Sequence, residues 1–239
     1  MNSLVQLTID AHGGLERWRR FEYVTAHLRT GGILWGLKHQ QGVLDDVNVR
    51  VALRREWTSH SPFLKPNLRT SFEPRRVAIE TTEGHVVEER FQPRDSFGGH
   101  RVDTPWDSLH LAYFAGYAMW TYLTTPFLFA VDGVTTEELE PWPEDGEMWR
   151  RLKVTFPDSI ATHSTVQIFY FGSDGLLRRH DYDAEVLGGT PAAHYVHEYD
   201  NVSGIMVPTK RRVLGREPDG TPARDPLIVT IDLSEVEFT

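Results

Sequence analysis

The spacing of apolar residues changes period along this chain. Leu4, Leu7, Ala11, Leu15 and Trp18 recur at helical spacing, which predicts a helix over residues 3–20 with a break near Gly13-Gly14. From Phe21 the period becomes two. Val24, Ala26 and Leu28 alternate with Tyr23, Thr25, His27 and Arg29, and Val47, Val49, Val51 and Leu53 alternate with Asn48, Arg50, Ala52 and Arg54. Shorter strand-like runs follow over 55–60, 67–73, 76–81 and 85–92, punctuated by Pro62, Pro66, Pro74 and Pro93. A helix is then predicted over about 105–125. Thr104 is its candidate N-cap, Pro105 its first residue, and Asp107 lies in the first turn, where the helix dipole favours an anion. This helix carries Tyr113, Phe114, Tyr117, Trp120 and Tyr122. Residues 132–147 read as an acidic, solvated loop around Pro141-Trp142-Pro143. The last third reads as a meander over 149–156, 164–171, 176–185, 193–200, 205–214 and 227–238, with turns at Gly172-Ser173-Asp174-Gly175, Gly188-Gly189 and Asn201-Val202-Ser203-Gly204.

About ten strands in one antiparallel sheet must curl, because twist accumulates. The expected fold is therefore mainly β: a half-barrel with an N-terminal helix, its concave face filled by the inserted aromatic helix. No repeat or linker divides residues 1–239, so one domain is expected. Aromatic bulk against a curved sheet suggests an apolar cavity, a common setting for ligand sites.

Composition narrows the partners. A net charge of −9 gives no broad electrostatic reason to bind nucleic acid or an anionic membrane. The short run Lys210-Arg211-Arg212 reads as solvated surface. The absence of cysteine removes disulfides, thiol catalysis and Cys-based metal sites, and it suits the cytosol. Met1 to Asp10 has neither a basic n-region nor a long apolar h-region, so a cytoplasmic protein without a secretory signal is expected. Leu109 to Val131 is uncharged, but Pro126 interrupts it and Asp107 and Asp132 flank it. Burial in protein is expected there, with no stable membrane insertion.

Three stretches resemble the LolA/LolB type of lipoprotein-carrier fold. They are Ala11-His12-Gly13-Gly14-Leu15-Glu16-Arg17-Trp18, Phe169-Tyr170-Phe171-Gly172-Ser173-Asp174-Gly175-Leu176-Leu177-Arg178-Arg179, and Tyr199-Asp200-Asn201-Val202-Ser203-Gly204-Ile205-Met206-Val207-Pro208-Thr209. The order of elements is similar over nearly the whole chain. The resemblance implies an unclosed β-barrel plugged by helices, with an apolar cavity. Lipoprotein transport is not carried over, since periplasmic carriers need an export signal.

The turns also set a register for the chemistry. A hairpin tip at Gly172–Gly175 pairs Phe171 with Leu176, Phe169 with Arg178 and Gln167 with His180. A tip near Gly188-Gly189 sets His180 across from His197, Tyr182 from Tyr195 and Arg178 from Tyr199. One face then carries Gln167, Phe169, Phe171, Arg178, His180, Tyr182, Tyr195, His197, Tyr199 and Met206. The other carries Val166, Ile168, Leu177, Arg179, Asp181, Asp183, His194, Val196 and Glu198. A one-residue slip would exchange them. On this reading His180 and His197, beside Tyr182 and Tyr195, are candidate proton carriers, and Arg178 would hold a carboxylate or an oxyanion. Phe169, Phe171, Tyr199 and Met206 would line the ligand site with Tyr113, Tyr117 and Trp120 of the helix. His194 and His197 point to opposite faces and cannot share a metal without a bulge, so no metal is expected. Gly-rich phosphate loops and G-x-S-x-G elbows are missing, so no cofactor is expected. The expected function is binding of a hydrophobic small molecule. The alternative is a cofactor-independent cyclase, isomerase or lyase that uses the His/Tyr/Arg cluster.

Overall fold

The structure, a computed structural model, describes residues 3–239. The N-terminal helix α1 (Ser3–Ala11) buries Leu4, Val5, Thr8 and Ile9, while Leu7 lies on its outer side. It stops at Gly13-Gly14, both at positive φ. A Cβ on Gly13 would sit 2.4 Å from the carbonyl oxygen of Gly204, so only glycine allows the chain to pass the turn after Asn201 this closely. Helix α2 (Leu15–Trp18) then lays Trp18 flat on Phe127 at 4.1 Å and edge-on to Phe238, which joins it to the core.

Five strands follow β1 (Tyr23–Gly31) and the single turn of α3 (Leu34–Leu37). They are β2 (Val47–Ala52), β3 (Thr58–Ser61), β4 (Leu68–Glu73), β5 (Arg76–Thr81) and β6 (Val86–Phe91). After α4 (Ser108–Thr124) come β7 (Thr135–Glu144), β8 (Glu147–Thr155), β9 (Val166–Phe171), β10 (Leu177–Ala184), β11 (Thr190–Val202), β12 (Ile205–Gly215) and β13 (Val229–Phe238). All form one antiparallel sheet ordered β6-β5-β4-β3-β2-β1-β13-β12-β11-β10-β9-β8-β7. First and last strands pair in the middle, and β6 and β7 are the two unpaired edges. The barrel is therefore unclosed.

That order dictates the position of α4. The chain leaves the sheet at one edge and must rejoin it at the other, so the connection crosses the concave face. The helix is buried on every side from Leu109 to Thr124. Its N-cap is Asp107, which accepts the His110 N–H at 2.8 Å while the His110 Nδ1 accepts the Asp107 N–H at 3.3 Å. It begins later than the expected Thr104 cap because Thr104 serves a preceding turn: its Oγ1 accepts the Arg101 N–H and its carbonyl accepts from Lys38. The uncharged run does not continue as helix past Thr124, and among the described residues no helix is long and apolar enough to cross a membrane.

Gly116 lets α4 lie directly on β4. A Cβ there would fall 2.4–2.9 Å from side-chain atoms of Phe72. Alanine is the better helix former by ~1 kcal/mol, yet the expected result of Gly116→Ala is a net loss of about 1–3 kcal/mol through overpacking. Chemical denaturation would measure it.

The acidic stretch after Asp132 is edge strand β7 rather than a loop. Pro141 and Pro143 are tolerated because an edge needs ladder bonds on one side only, and the register shifts between Leu139 and Trp142. The glutamates of this strand give the edge a charge that discourages pairing with another sheet.

Candidate functional site

The concave face holds an apolar slot beside a buried polar network. The slot lies between one stripe of α4 (Ala115, Ala118, Met119, Tyr122) and Leu28, Val213, Val229 and Ile231 of the central strands. It encloses about 30 Å³, space for one or two waters. That is much smaller than the cavity the aromatic helix suggested. The rings interlock edge-on instead of leaving gaps, as in Trp35 with Phe114, Tyr113 with Phe72 and Phe114 with Tyr117.

Tyr122 and Tyr182 form one end of the slot and open the polar network. Their hydroxyls are 3.2 Å apart. His163, from the loop between β8 and β9, lies flat on Tyr182 at 3.8 Å. Its Nε2 is 2.6 Å from the Tyr122 hydroxyl, and its Nδ1 is 3.3 Å from that of Tyr117. Burial holds His163 well below the usual imidazole range, and the nearby Arg94 charge adds to this. Burial likewise pushes Tyr122 up to about 12 and Tyr117 and Tyr182 well above the usual phenol range. All four are neutral at physiological pH. A neutral imidazole has one N–H and one bare nitrogen, so two complete hydrogen-bond patterns exist. Either Tyr122 donates to Nε2 and Nδ1–H donates to Tyr117, or both bonds run the other way.

His180 lies behind this group, flat on Phe169 at 4.1 Å. The Gln167 amide donates to Ser164 O and Thr162 Oγ1, both at 2.8 Å. Its oxygen therefore faces His180, whose Nε2–H donates to it at 2.5 Å. His194 stands opposite His180 in the register, fully buried, and neither of its ring nitrogens has a partner among the described residues. Burial, then Arg211, holds His194 well below the usual imidazole range. Arg211 is buried on the same face and donates from Nη2 to the Tyr122 carbonyl at 2.9 Å.

The structure corrects the expected register of β11. His180 pairs with His194, Arg179 with Tyr195, and Tyr182 with Ala192. The chain passes through a short 3-10 turn at Glu185–Leu187 before Gly188-Gly189, so the hairpin is tighter than expected by three residues. An odd shift exchanges faces. Tyr195 and His197 consequently leave the concave face and His194 and Val196 enter it, with His197 exposed and the two displaced rings 6.4 Å apart. A bulge between Leu177 and Arg179 removes Arg178 as well, which pairs with Asp174 at 2.6 Å. The inward guanidinium is that of Arg211. Alternation along β12 turns the middle member of Lys210-Arg211-Arg212 inward, which overturns the reading of that run as solvated surface. Met206 alternates away from the buried Ile205 and Val207. Tyr199 packs at the margin of the core against His12, its hydroxyl donating to Leu177 O at 2.6 Å.

Of the other expected residues, Phe169, His180 and Tyr182 belong to the network, and Phe171 faces Phe129. Tyr117 bonds to His163, while Trp120 turns away from the slot and donates to the carbonyls of Ala52 and Arg55. Tyr113 lines a separate polar cleft of about 520 Å³ with Arg94, Thr162 and Glu185. Arg94 donates there to Thr162 O at 2.9 Å and to Glu185 at 2.5 Å. Nearby, Glu56 accepts the Ala161 N–H at 3.1 Å, and burial raises its carboxyl well above the usual range. Among the described residues no three His, Asp or Glu side chains converge as a metal centre would.

The convex face carries a second buried cluster. Arg179 is fully buried and grips Asp181 with two bonds, Nε to Oδ1 at 2.6 Å and Nη2 to Oδ2 at 2.8 Å. It also donates to Glu144 at 2.9 Å and Tyr195 at 3.1 Å. Tyr170 donates to Asp181 at 2.9 Å, and Tyr195 donates to Glu144. Arg216 adds a second cation 3.5 Å from Asp181, so every charge here faces an opposite one, which marks the cluster as structural.

No protein-family model matches this sequence, and neither does any curated protein. Solved structures do match its shape. A DUF1329 family protein from Desulfovibrio piger aligns with a TM-score of 0.57 at 12% identity, over 99% of this chain and 92% of that one. A LolA superfamily protein from Nitrosomonas europaea gives 0.53 at 12% identity, over 98% and 92%. A candidate outer membrane lipoprotein-sorting protein domain from Vibrio parahaemolyticus gives 0.55 at 10% identity, over 100% and 94%. At such identities the likeness speaks for architecture alone: this chain has the LolA-like fold, an unclosed β-barrel with a helix laid across its concave face.

Proposed function

We propose that this protein binds a lipophilic small molecule between α4 and the concave face of the sheet. One observation carries the reading. The helix packs tightly on β4 through Gly116, but toward β12 and β13 it presents a stripe of small side chains, Ala115 and Ala118, across an apolar slot. The likeness to a candidate lipoprotein-sorting domain supports an apolar occupant. A small-molecule site takes about 300 Å³ or more, so binding requires α4 to move away from those strands.

Ala118→Leu tests this by filling the slot. Its expected result is loss of an apolar fluorescent probe such as 1-aminonaphthalene-8-sulfonate, with the far-ultraviolet circular dichroism retained. Equal probe binding by both proteins would remove the slot from consideration.

A second reading, acid–base catalysis on the bound molecule without a cofactor, is favoured by a separate observation. Tyr122 and Tyr182 line the slot and connect through His163 to Tyr117. The two hydrogen-bond patterns of that chain differ by the transfer of protons along it, which suits a cyclisation or isomerisation. The catalytic reading requires Tyr182→Phe to abolish turnover while ligand affinity stays within a few-fold.

A further inference from the structure

The concave network contains a positive charge with no counterion among the described residues. Arg211 is 1% exposed. Its Nη2 reaches only a neutral carbonyl, its guanidinium lies 4.9 Å from the Tyr122 ring, and its Nε has no partner. The titratable groups that face it and favour its charge are the phenols of Tyr199, Tyr122 and Tyr182, which are all neutral. The other fully buried arginine among the described residues is treated differently: Arg179 meets Asp181 and Glu144.

His194 adds to the imbalance. Val196 pairs with Arg211 and His194 with Val213, so His194 and Arg211 are diagonal neighbours on one face. Both nitrogens of His194 are buried without a partner among the described residues. Buried polar groups are nearly always satisfied, and a buried cation is ordinarily paired. Here two adjacent cationic or donor-capable groups are left incomplete, next to the end of an apolar slot.

We infer that the molecule taken by the slot is a lipophilic carboxylate, its apolar body along Ala115 and Ala118 and its carboxylate against Arg211 and His194. Guanidinium is the side chain best suited to a carboxylate, because its N–H groups form a planar fork. Tyr122 lines the slot and also stacks on Arg211, so rotation of its ring brings slot and guanidinium together. This inference rests on the slot being a ligand site and adds the charge of the ligand.

The test compares cis-parinaric acid with its methyl ester, two fluorescent probes with one apolar chain, at pH 8 with the full-length protein. The acid is expected to bind at least about ten-fold tighter than the ester, ~1.4 kcal/mol. Arg211→Met should lower the affinity for the acid to that for the ester, and Arg211→Lys should retain part of the preference. Equal affinity of the two probes for the unaltered protein overturns the carboxylate assignment while leaving the slot as a ligand site. Binding of neither probe overturns the slot and the assignment together. Should Arg211→Met fail to fold, the acid-to-ester ratio of the unaltered protein decides the matter alone.

Discussion

Lowering the pH from 7.5 toward 4 is expected to unfold this protein, through its buried imidazoles. His12 and His60 are both pulled down to about 4 by burial, and His163, His180 and His194 are held well below the usual value for the same reason. An unfolded chain regains imidazoles that protonate near 6.5. The unfolded state therefore takes up protons first. The stability these groups allow is complete above about pH 6.5 and is lost as the pH falls from there through the folded values. A depression to about 4 corresponds to roughly 3 kcal/mol for each of His12 and His60. Two such groups already approach the whole stability of a typical domain, ~5–15 kcal/mol. Glu56 acts in the opposite sense, because its carboxyl is raised, but it is one group against five. Tryptophan fluorescence against pH would follow the transition. His194→Leu removes an imidazole with two unpartnered nitrogens, so it should shift the acid midpoint downward at little cost at pH 7.5. A melting temperature that is the same at pH 7.5 and pH 4 would contradict this account.

Arg179→Met is expected to be the most damaging single substitution at neutral pH. It takes from Asp181, which is 2% exposed, its two-bond partner, leaving it the Tyr170 hydroxyl and the longer 3.5 Å contact of Arg216, and it removes the donor shared by Glu144 and Tyr195. Breaking a buried ion pair from one side typically costs about 3–5 kcal/mol, because the remaining charge stays buried. For a chain of this length that is a fall in melting temperature of the order of 10 °C. Arg178, next in sequence, makes a partly exposed pair with Asp174, and Arg178→Met should cost under ~1 kcal/mol. Scanning calorimetry of the two variants separates them. Similar losses would show that the convex cluster is not the anchor its geometry suggests.

The contrast between Arg179 and Arg211 bears on function. Both arginines are enclosed, but one is matched by carboxylates and the other faces phenols and a carbonyl. The matched cluster stabilises the sheet on its convex side. The unmatched group sits on the concave side against Tyr122, which closes the α4 stripe that carries Ala115 and Ala118 opposite the central strands.

Much of the architecture was legible from local patterning. Alternation at Val24–Leu28 and Val47–Val51 marked strands with one buried face, and those faces are buried. Gly13-Gly14 marked the break between α1 and α2, since two glycines at positive φ cannot continue a helix. The uncharged aromatic run marked a helix apolar on all sides, which only an enclosing sheet or a lipid layer accommodates. The inward positions of Phe169, His180 and Tyr182 were legible too, although the pairing was not: His180 lies across from Phe169 rather than Gln167, and this shift of two residues keeps each side chain on its expected face.

What the amino-acid order determined by itself was most of the elements, the edge strand β7 and the single turn α3 aside, with their alternation and the curl of a long antiparallel sheet, all of which follow from interactions between near neighbours. What only the tertiary structure decided was which polar groups meet. Side-chain facing depends on register with a period of two, so the tight turn at Glu185–Leu187 was enough to exchange His197 for His194. The bulge after Leu177 turned Arg178 outward, and alternation along β12 left Arg211 as the inward charge. His163 joined Tyr122 and Tyr182 from a loop whose path no periodicity encodes, because that path is set by packing against a helix 41 residues earlier in the chain.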